Sequence, residues 1–354
     1  MKVVGTPIAD EVAGPHALRG VGDGRRDQQQ RRRTSTRQRL GLGLQRYGSL
    51  GALVILMIVA SLLSPNFLTE SNIRLQLQTF CLSTALIGVG QTLVILTGGV
   101  DLSVGALLAL GSCLAGLLIG HGWSIPLVFL ASIALTTLIG AISGTIVAKA
   151  RVQPIVVTLA MMIAARGLAE LLTSDATLDL SLSDSFDGLA TTQLGPLPVI
   201  GNVPISVVIA VAIYGIAALF LVWTVPGRYV FAVGGNERAA RLSGVAADRV
   251  KIAVYAISGL LAGLSGVLYA SHQSSADPFN DGTFFELNTI AAVVVGGTSL
   301  LGGVGGVGRT LVGGLILTVL YALFIQIGLP TQAQLIAQGV IIAGAVILQA
   351  GQAS

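Results

Sequence analysis

Charge is what this sequence has least of. Asp, Glu, Lys and Arg make up 10% of its 354 residues, against ~25% in soluble globular domains. So few charged groups cannot cover a water-facing surface, which excludes a disordered chain, a nucleic-acid-binding domain and an ordinary cytosolic enzyme. Lysine occurs only as Lys2, Lys149 and Lys251, and none sits in the Gly-x-x-x-x-Gly-Lys-Ser/Thr context whose lysine meets nucleotide phosphates. The chain is therefore not a P-loop ATPase, and any ATP-derived work must come from a partner. The two cysteines, Cys81 and Cys113, lie inside apolar runs; they form no disulfide framework or metal set and are expected to be small buried hydrophobes. His16, His121 and His272 are far apart, and no His-x-x-x-His, Cys–His or paired-carboxylate arrangement is present. No catalytic group, metal or cofactor is expected. No Asp or Glu follows Glu286. That excludes a dinucleotide site at Gly303-Val304-Gly305-Gly306-Val307-Gly308, since that fold needs an acid about 20 residues further on; a sharp turn or close backbone packing explains the glycines instead.

Apolar residues are what remain: 53% of the chain, with a mean hydropathy of +0.84. They come in continuous runs such as Ile205 to Trp223. A transmembrane β-barrel would alternate polar and apolar residues, so the runs predict helices. The expected fold class is all-α, a polytopic integral membrane protein with about ten transmembrane helices. The expected spans are 48–64, 73–97, 103–120, 125–148, 155–173, 204–224, 252–272, 286–301, 309–327 and 333–350, separated by turn residues such as Ser64-Pro65-Asn66, Gly98-Gly99 and Pro226-Gly227. Residues 1–47 are rich in Gly, Gln and Arg, with too few apolar side chains to fold alone and too many polar ones for a cleavable signal peptide. They read as a basic, disordered cytoplasmic tail that helps fix orientation, with attachment to anionic headgroups as the alternative; residues 48–354 read as the transmembrane domain.

Placing the N-terminus in the cytoplasm and alternating sides puts 18 of the 20 Lys and Arg residues inside, all but Arg74 and Arg166. Asp175, Asp179, Asp184, Asp187, Asp277, Asp281 and Glu286 fall outside. Cytoplasmic excess of Lys and Arg orients helical membrane proteins, so both termini are expected in the cytoplasm.

The longest inner connection, 227–251, reads as structured. Asn236 is a good N-cap, Glu237 sits in the first turn with Arg241 at i, i+4, and Gly244 is placed to end the helix. Two turns at most are too short to be stable alone in water, so this helix needs a partner surface, either its own membrane domain or another protein.

Three stretches carry a resemblance: Gly227-Arg228-Tyr229-Val230-Phe231-Ala232-Val233-Gly234-Gly235-Asn236-Glu237-Arg238-Ala239-Ala240-Arg241-Leu242-Ser243-Gly244, then Val94-Ile95-Leu96-Thr97-Gly98-Gly99-Val100-Asp101-Leu102-Ser103-Val104-Gly105, and Phe285-Glu286-Leu287-Asn288-Thr289-Ile290-Ala291-Ala292-Val293-Val294-Val295-Gly296-Gly297-Thr298-Ser299-Leu300. From about Pro65 onward the chain resembles the membrane permeases of ribose-type sugar importers of the bacterial ATP-binding cassette class. It departs at Asn288, where an aspartate is expected, and in its long basic tail. The resemblance implies two permease subunits forming a pathway through the inner membrane, a cytoplasmic ATPase dimer and a periplasmic sugar-binding protein. Gly235, Asn236, Glu237, Arg238, Ala239, Ala240, Arg241, Leu242 and Gly244 would then seat in the ATPase, with small side chains at Ala239 and Ala240 allowing close approach. A pentose or related small sugar is the implied solute; nucleoside or branched-chain amino-acid import is the alternative within the class, and an ion-coupled secondary transporter the alternative outside it.

Polar residues inside the spans are the candidates for the solute pathway: Gln91, Thr97, Asp101, Ser103, Asn288 and Thr298. Asp101 also reads as a cap on the third span, a role that does not exclude the first. Arg166 and Glu170, at i, i+4, are expected to neutralise one another. The pairs Gly116/Gly120, Gly140/Gly144 and Gly259/Gly263 are expected to be helix-packing faces.

Overall fold

The computed structural model describes residues 48–181, 184–197 and 201–353; the basic tail expected over residues 1–47 lies outside them. In chain order the helices are α1 (Gly48–Leu63), α2 (Glu70–Leu96), α3 (Val104–Gly120), α4 (Ile125–Lys149), α5 (Pro154–Thr173), α6 (Asp184–Thr191), α7 (Ile205–Trp223), α8 (Val225–Gly235), α9 (Glu237–Leu242), α10 (Ala247–Gln273), α11 (Phe285–Val295), α12 (Val307–Gln326) and α13 (Thr331–Ala353). The ten expected spans each meet one of these helices; α6, α8 and α9 lie in the connections. By length and composition α2, α4, α5, α7, α10 and α12 can each cross a membrane, while α1, α3 and α11 are shorter and apolar. Proline starts several of them, at Pro126, Pro154 and Pro226, where the missing N–H costs no hydrogen bond. Among the described residues four short strands accompany the helices: β1 (Leu178–Asp179), β2 (Gln193–Leu197), β3 (Gly201–Pro204) and β4 (Ser275–Ala276), with β1 antiparallel to β4 and β2 to β3.

Burial ranks the helices. Most of α2's apolar window (89%) and of α10's (61%) is buried, against 22% in α4 and α5. α2 and α10 are thus the centre, and α4, α5 and α7 turn Leu130, Ile163 and Ile216 outward, each at least 65% exposed. A membrane protein presents such faces to lipid. α10 crosses α4 through glycine. A Cβ on Gly140 would lie 2.4 Å from the Tyr255 carbonyl oxygen, and one on Gly259 2.3 Å from that of Thr136. The Gly140/Gly144 and Gly259/Gly263 faces are as expected. Gly116 instead meets Ala276 and Leu178, and nothing lies within 4 Å of a Cβ on Gly120, so among the described residues that pair packs against no other helix.

The expected eighth span, 286–301, is corrected. α11 is 11 residues long, about 16 Å of helix against a ~30 Å hydrocarbon core, and the glycine-rich stretch after it is a loop. The missing half-crossing is non-helical. Residues 275–284 run down the side of α3, from Ala276 against Gly116 to Gly282 against Gly105. α11 therefore begins deep in the domain. Buried irregular backbone is tolerated only where its polar groups are met, and Arg166 meets them: its Nη1 donates to the Pro278 carbonyl at 2.6 Å and the Asp281 carbonyl at 2.9 Å. Asp281 Oδ2 in turn accepts from Ser112 Oγ at 2.6 Å. Arg166 is thus committed to carbonyls rather than to Glu170. The helical spacing was right, but two strong acceptors from a distant segment lie closer to hand. Cys81 and Cys113 are free and buried, as expected.

Candidate functional site

Two regions gather the candidate functional groups: the basic end of the domain, where α8 and α9 lie, and a cavity among α2, α11, α12 and α13.

At the basic end, Thr224 caps α8 by accepting from the Gly227 N–H at 3.0 Å. Gly227 is required there, because a Cβ would sit 2.0 Å from the Phe220 carbonyl oxygen. α8 was not anticipated; the Thr-x-Pro-Gly start, residues 224–227, was the available signal. Asn236 Oδ1 accepts from the Ala239 N–H at 2.9 Å, so the expected cap of α9 is formed. Gly244, at φ +86, ends α9, with Val245 N–H returning to the Ala240 carbonyl at 3.0 Å. Glu237 pairs with Arg241 at 2.7 Å and with Lys251 at 2.5 Å, and Arg241 also pairs with Asp248. These contacts tie α9 to the first turns of α10. Partial burial pushes the Glu237 carboxyl up, but hydrogen bonds and charge from Lys251 and Arg241 outweigh it and leave it below the usual carboxylate value. Ala240 is buried against Val233 and Ala247, so its small side chain serves contact with the chain's own domain. Gly235, Asn236, Arg238 and Ala239 are exposed, and Leu242 is 84% exposed. Of the two alternatives for its partner surface, α9 has contact with the chain's own domain through Ala240, and its outer side bears an exposed leucine.

Beneath α8 lies the glycine-rich loop. Gly303 N–H donates to the Leu96 carbonyl at 3.0 Å, and a Cβ on Gly234 would lie 1.8 Å from the same oxygen. This end of α2 is sealed by backbone. Thr97 bonds its own helix at the Val94 carbonyl, and Thr298 Oγ1 accepts from the Gly306 N–H at 3.2 Å.

The cavity has a volume of about 350 Å³, in the ~300–1,000 Å³ range of small-molecule sites. Its polar lining is Gln76, Thr79, Ser83 and Thr84 of α2, Thr283 just before α11, Asn288 in the first turn of α11, Thr318 and Tyr321 of α12, and Gln334 and Gln338 of α13. Phe80, Tyr269, Phe284 and Phe285 supply flat apolar surface. No Asp, Glu, Lys, Arg or His is among the described lining residues. Gln338 Nε2 donates to Asn288 Oδ1 across the wall. Tyr269 and Phe285 meet edge to face at 5.7 Å. Phe284 is left-handed at φ +65, a strained conformation for an aromatic residue of the kind that collects at functional sites.

Of the six expected pathway residues, Asn288 lines this cavity; Gln91, Thr97, Asp101, Ser103 and Thr298 are buried elsewhere. Gln91 lies seven residues past Thr84 on α2 and is fully buried. Neither of its amide atoms has a hydrogen-bond partner among the described residues. Asp101 is fully buried; its Oδ1 accepts from Ser103 N–H and Oγ at 3.0 and 2.6 Å, and its Oδ2 from Ser258 Oγ at 2.8 Å. It braces the 97–103 turn against α10.

Over residues 73–347 the sequence matches the family described as branched-chain amino acid transport system / permease component. The chain belongs to this permease family. The permease is 42% identical over 301 residues to the ribose import permease protein of Escherichia coli (strain K12), covering 85% of this chain and 92% of that one. It is 37% identical over 308 residues to the ribose import permease protein of Bacillus subtilis (strain 168), covering 86% and 92%. Against the galactofuranose transporter permease protein of Escherichia coli (strain K12), identity is 33% over 311 residues, covering 84% and 87%. No solved structure matches the permease.

Proposed function

We propose that this permease is the translocation subunit of an ATP-driven importer of a small neutral sugar, a pentose or similar, working by alternating access in the bacterial inner membrane. The observation that carries the solute class is the charge-free cavity. Its amides, hydroxyls and aromatic faces are the groups that meet sugar hydroxyls and ring C–H surface, and relatives named for ribose and galactofuranose agree with it. The zwitterion of an amino acid would find no charged partner among these side chains, and partnerless charge is costly to desolvate.

The route runs from the cavity wall at Asn288 inward past Gln91 to Thr97 and Thr298 at the sealed end, with Asp101 and Ser103 bracing the turn between. The unpaired amide of Gln91 gains its partners from the sugar when the inner half opens. The outer face of α9, comprising Gly235, Asn236, Glu237, Arg238, Ala239, Arg241, Leu242 and Gly244, docks on a cytoplasmic ATPase dimer. Leu242 is the apolar anchor, and Ala240 is the contact that passes the load to the membrane domain. A periplasmic binding protein delivers the sugar, and a second permease subunit completes the pathway.

The test is uptake by proteoliposomes holding the permease with its ATPase and binding protein, supplied with labelled D-ribose, D-galactose or L-leucine. ATP-dependent sugar uptake without leucine uptake is expected. Leucine uptake alone would assign amino-acid import, and uptake by the permease alone under an ion gradient would remove the ATPase from the mechanism.

A further inference from the structure

α2 is not one continuous α-helix. Glu70–Phe80 and Leu86–Leu96 are α-helical, and Cys81–Ala85 between them is a π-turn. A π-turn holds more residues than the α-turn it replaces, is disfavoured on its own, and occurs mostly as isolated bulges at functional sites. Here it divides α2 into halves of opposite character. All residues of Leu86–Leu96 are buried, whereas only Gln78 and Phe80 are buried in Glu70–Phe80. The cavity wall supplied by α2 comes from the turn and the half before it, including Gln76, Thr79, Ser83 and Thr84. Widening a turn loosens the main-chain ladder, and a side chain from another helix steps in: the fully buried Ser265 of α10 donates its hydroxyl to the Leu82 carbonyl.

The structure assigns this π-turn the part of a hinge in transport, with Ser265 as the positioning residue that holds it in place; the assignment rests on the sugar-import reading above. Converting the turn to α-helix passes the extra residue toward the outer end of α2 and rotates each residue it passes by about 100°. Gln76, Thr79 and Ser83 then leave the cavity wall, and the polar surface that holds the sugar is withdrawn while the inner half of α2 keeps its own helical register. The trigger is in place, because Ser265 rides on α10, whose first turns are ion-paired to α9. A load on α9 that shifts α10 moves the Ser265 hydroxyl relative to the Leu82 carbonyl.

The test uses the complete complex in proteoliposomes with labelled D-ribose. Ser265→Ala should lower ATP-driven uptake about tenfold while ATP hydrolysis persists, and Ser265→Thr, which keeps the hydroxyl, should recover most of it. Deleting Cys81 restores an α-helical register to both halves; it should keep or raise thermal stability and yet abolish uptake. Maleimide labelling of Gln76→Cys should change when the ATPase is trapped with ATP and vanadate, and this response should vanish in Ser265→Ala. Wild-type uptake by Ser265→Ala, or labelling that ignores the ATPase state, would overturn the hinge, and the labelling decides if the deletion variant does not insert. If the parent complex imports no sugar, the sugar reading fails, and the labelling still tests the hinge.

Discussion

Replacing Asp101 by Asn and by Ala should give permeases that differ in stability by about 3 kcal/mol, a figure built from the hydrogen bonds that converge on the carboxylate. Two donors of Ser103 and the Ser258 hydroxyl all point at it in a fully buried site. Asn keeps an accepting oxygen for Ser103, and its NH₂ faces a Ser258 hydroxyl that can turn round and accept. That exchange should cost about 1 kcal/mol or less. Ala leaves three buried donors without an acceptor, at about 1–3 kcal/mol each. The two hydroxyls can rotate toward nearby carbonyls, so the total stays near ~3–4 kcal/mol rather than the full sum. At about 2 °C per kcal/mol for a domain of this size, Asp101→Ala should melt roughly 6 °C below Asp101→Asn in a thermal-shift assay in one detergent. Equal melting of the two would refute the idea that the buried bonds hold the 97–103 turn. Asn melting as low as Ala would mean that the negative charge matters and not the acceptor geometry. Ribose uptake then separates roles: a stable Asp101→Asn that imports normally makes the carboxylate a brace, and a stable one that does not import puts it in the transport step.

Two glycines with left-handed backbone should respond differently to alanine. Gly282, at φ +68, would bring its Cβ within 2.1 Å of the Gly105 carbonyl oxygen, while Gly297, at φ +90, has nothing within 4 Å. Gly297→Ala should cost only the conformational ~1–2 kcal/mol, and Gly282→Ala should also displace the start of α11 and empty the detergent-stable fraction on size exclusion. At the coupling end, Glu237→Gln should weaken co-purification with the ATPase modestly, by about 0.5–1 kcal/mol, because the pairs are partly exposed. The folded-state value of Glu237 is depressed, so its contribution is complete above the ordinary carboxylate range and disappears only as pH falls through the depressed value. Association should therefore be flat from about pH 5.5 to 8 and weaken only in stronger acid. Leu242→Asp should abolish association at every pH and leave membrane insertion unchanged.

The helices were largely legible because a lipid-crossing segment announces itself by continuous apolar length, and α4, α5 and α7 begin and end within a residue or two of where the runs predicted. α9 was legible to the level of its cap, since Asn236, Glu237, Arg241 and Gly244 act through local spacing. What stayed hidden depended on distant neighbours. Nothing local says that α11 starts deep in the domain, because its depth is set by Gly282 lying on Gly105 and by Arg166 reaching two carbonyls more than a hundred positions along the chain. The cavity was missed for a different reason. Gln76, Thr79 and Ser83, and Gln334 with Gln338, are polar residues at helical spacings of three and four, a stripe readable in principle. A buried charge such as Asp101 stands out in an apolar run, whereas uncharged amides and hydroxyls do not stand out one at a time.

The sheathing of α2 also sets an order of assembly. Its inner half, Leu86–Leu96, is enclosed on every side, yet the surfaces that enclose it come late: Ser258 lies against Gly90, and Thr310 bonds Thr92. While the chain is being made, α2 must wait in the bilayer with Gln78 bare of Ala190 and His272 and Thr92 bare of Thr310, partners that lie 112 to 218 residues further along the chain. A nascent chain stopped before α10 therefore holds a central helix with no centre around it, and is the species a membrane quality-control protease would recognise first.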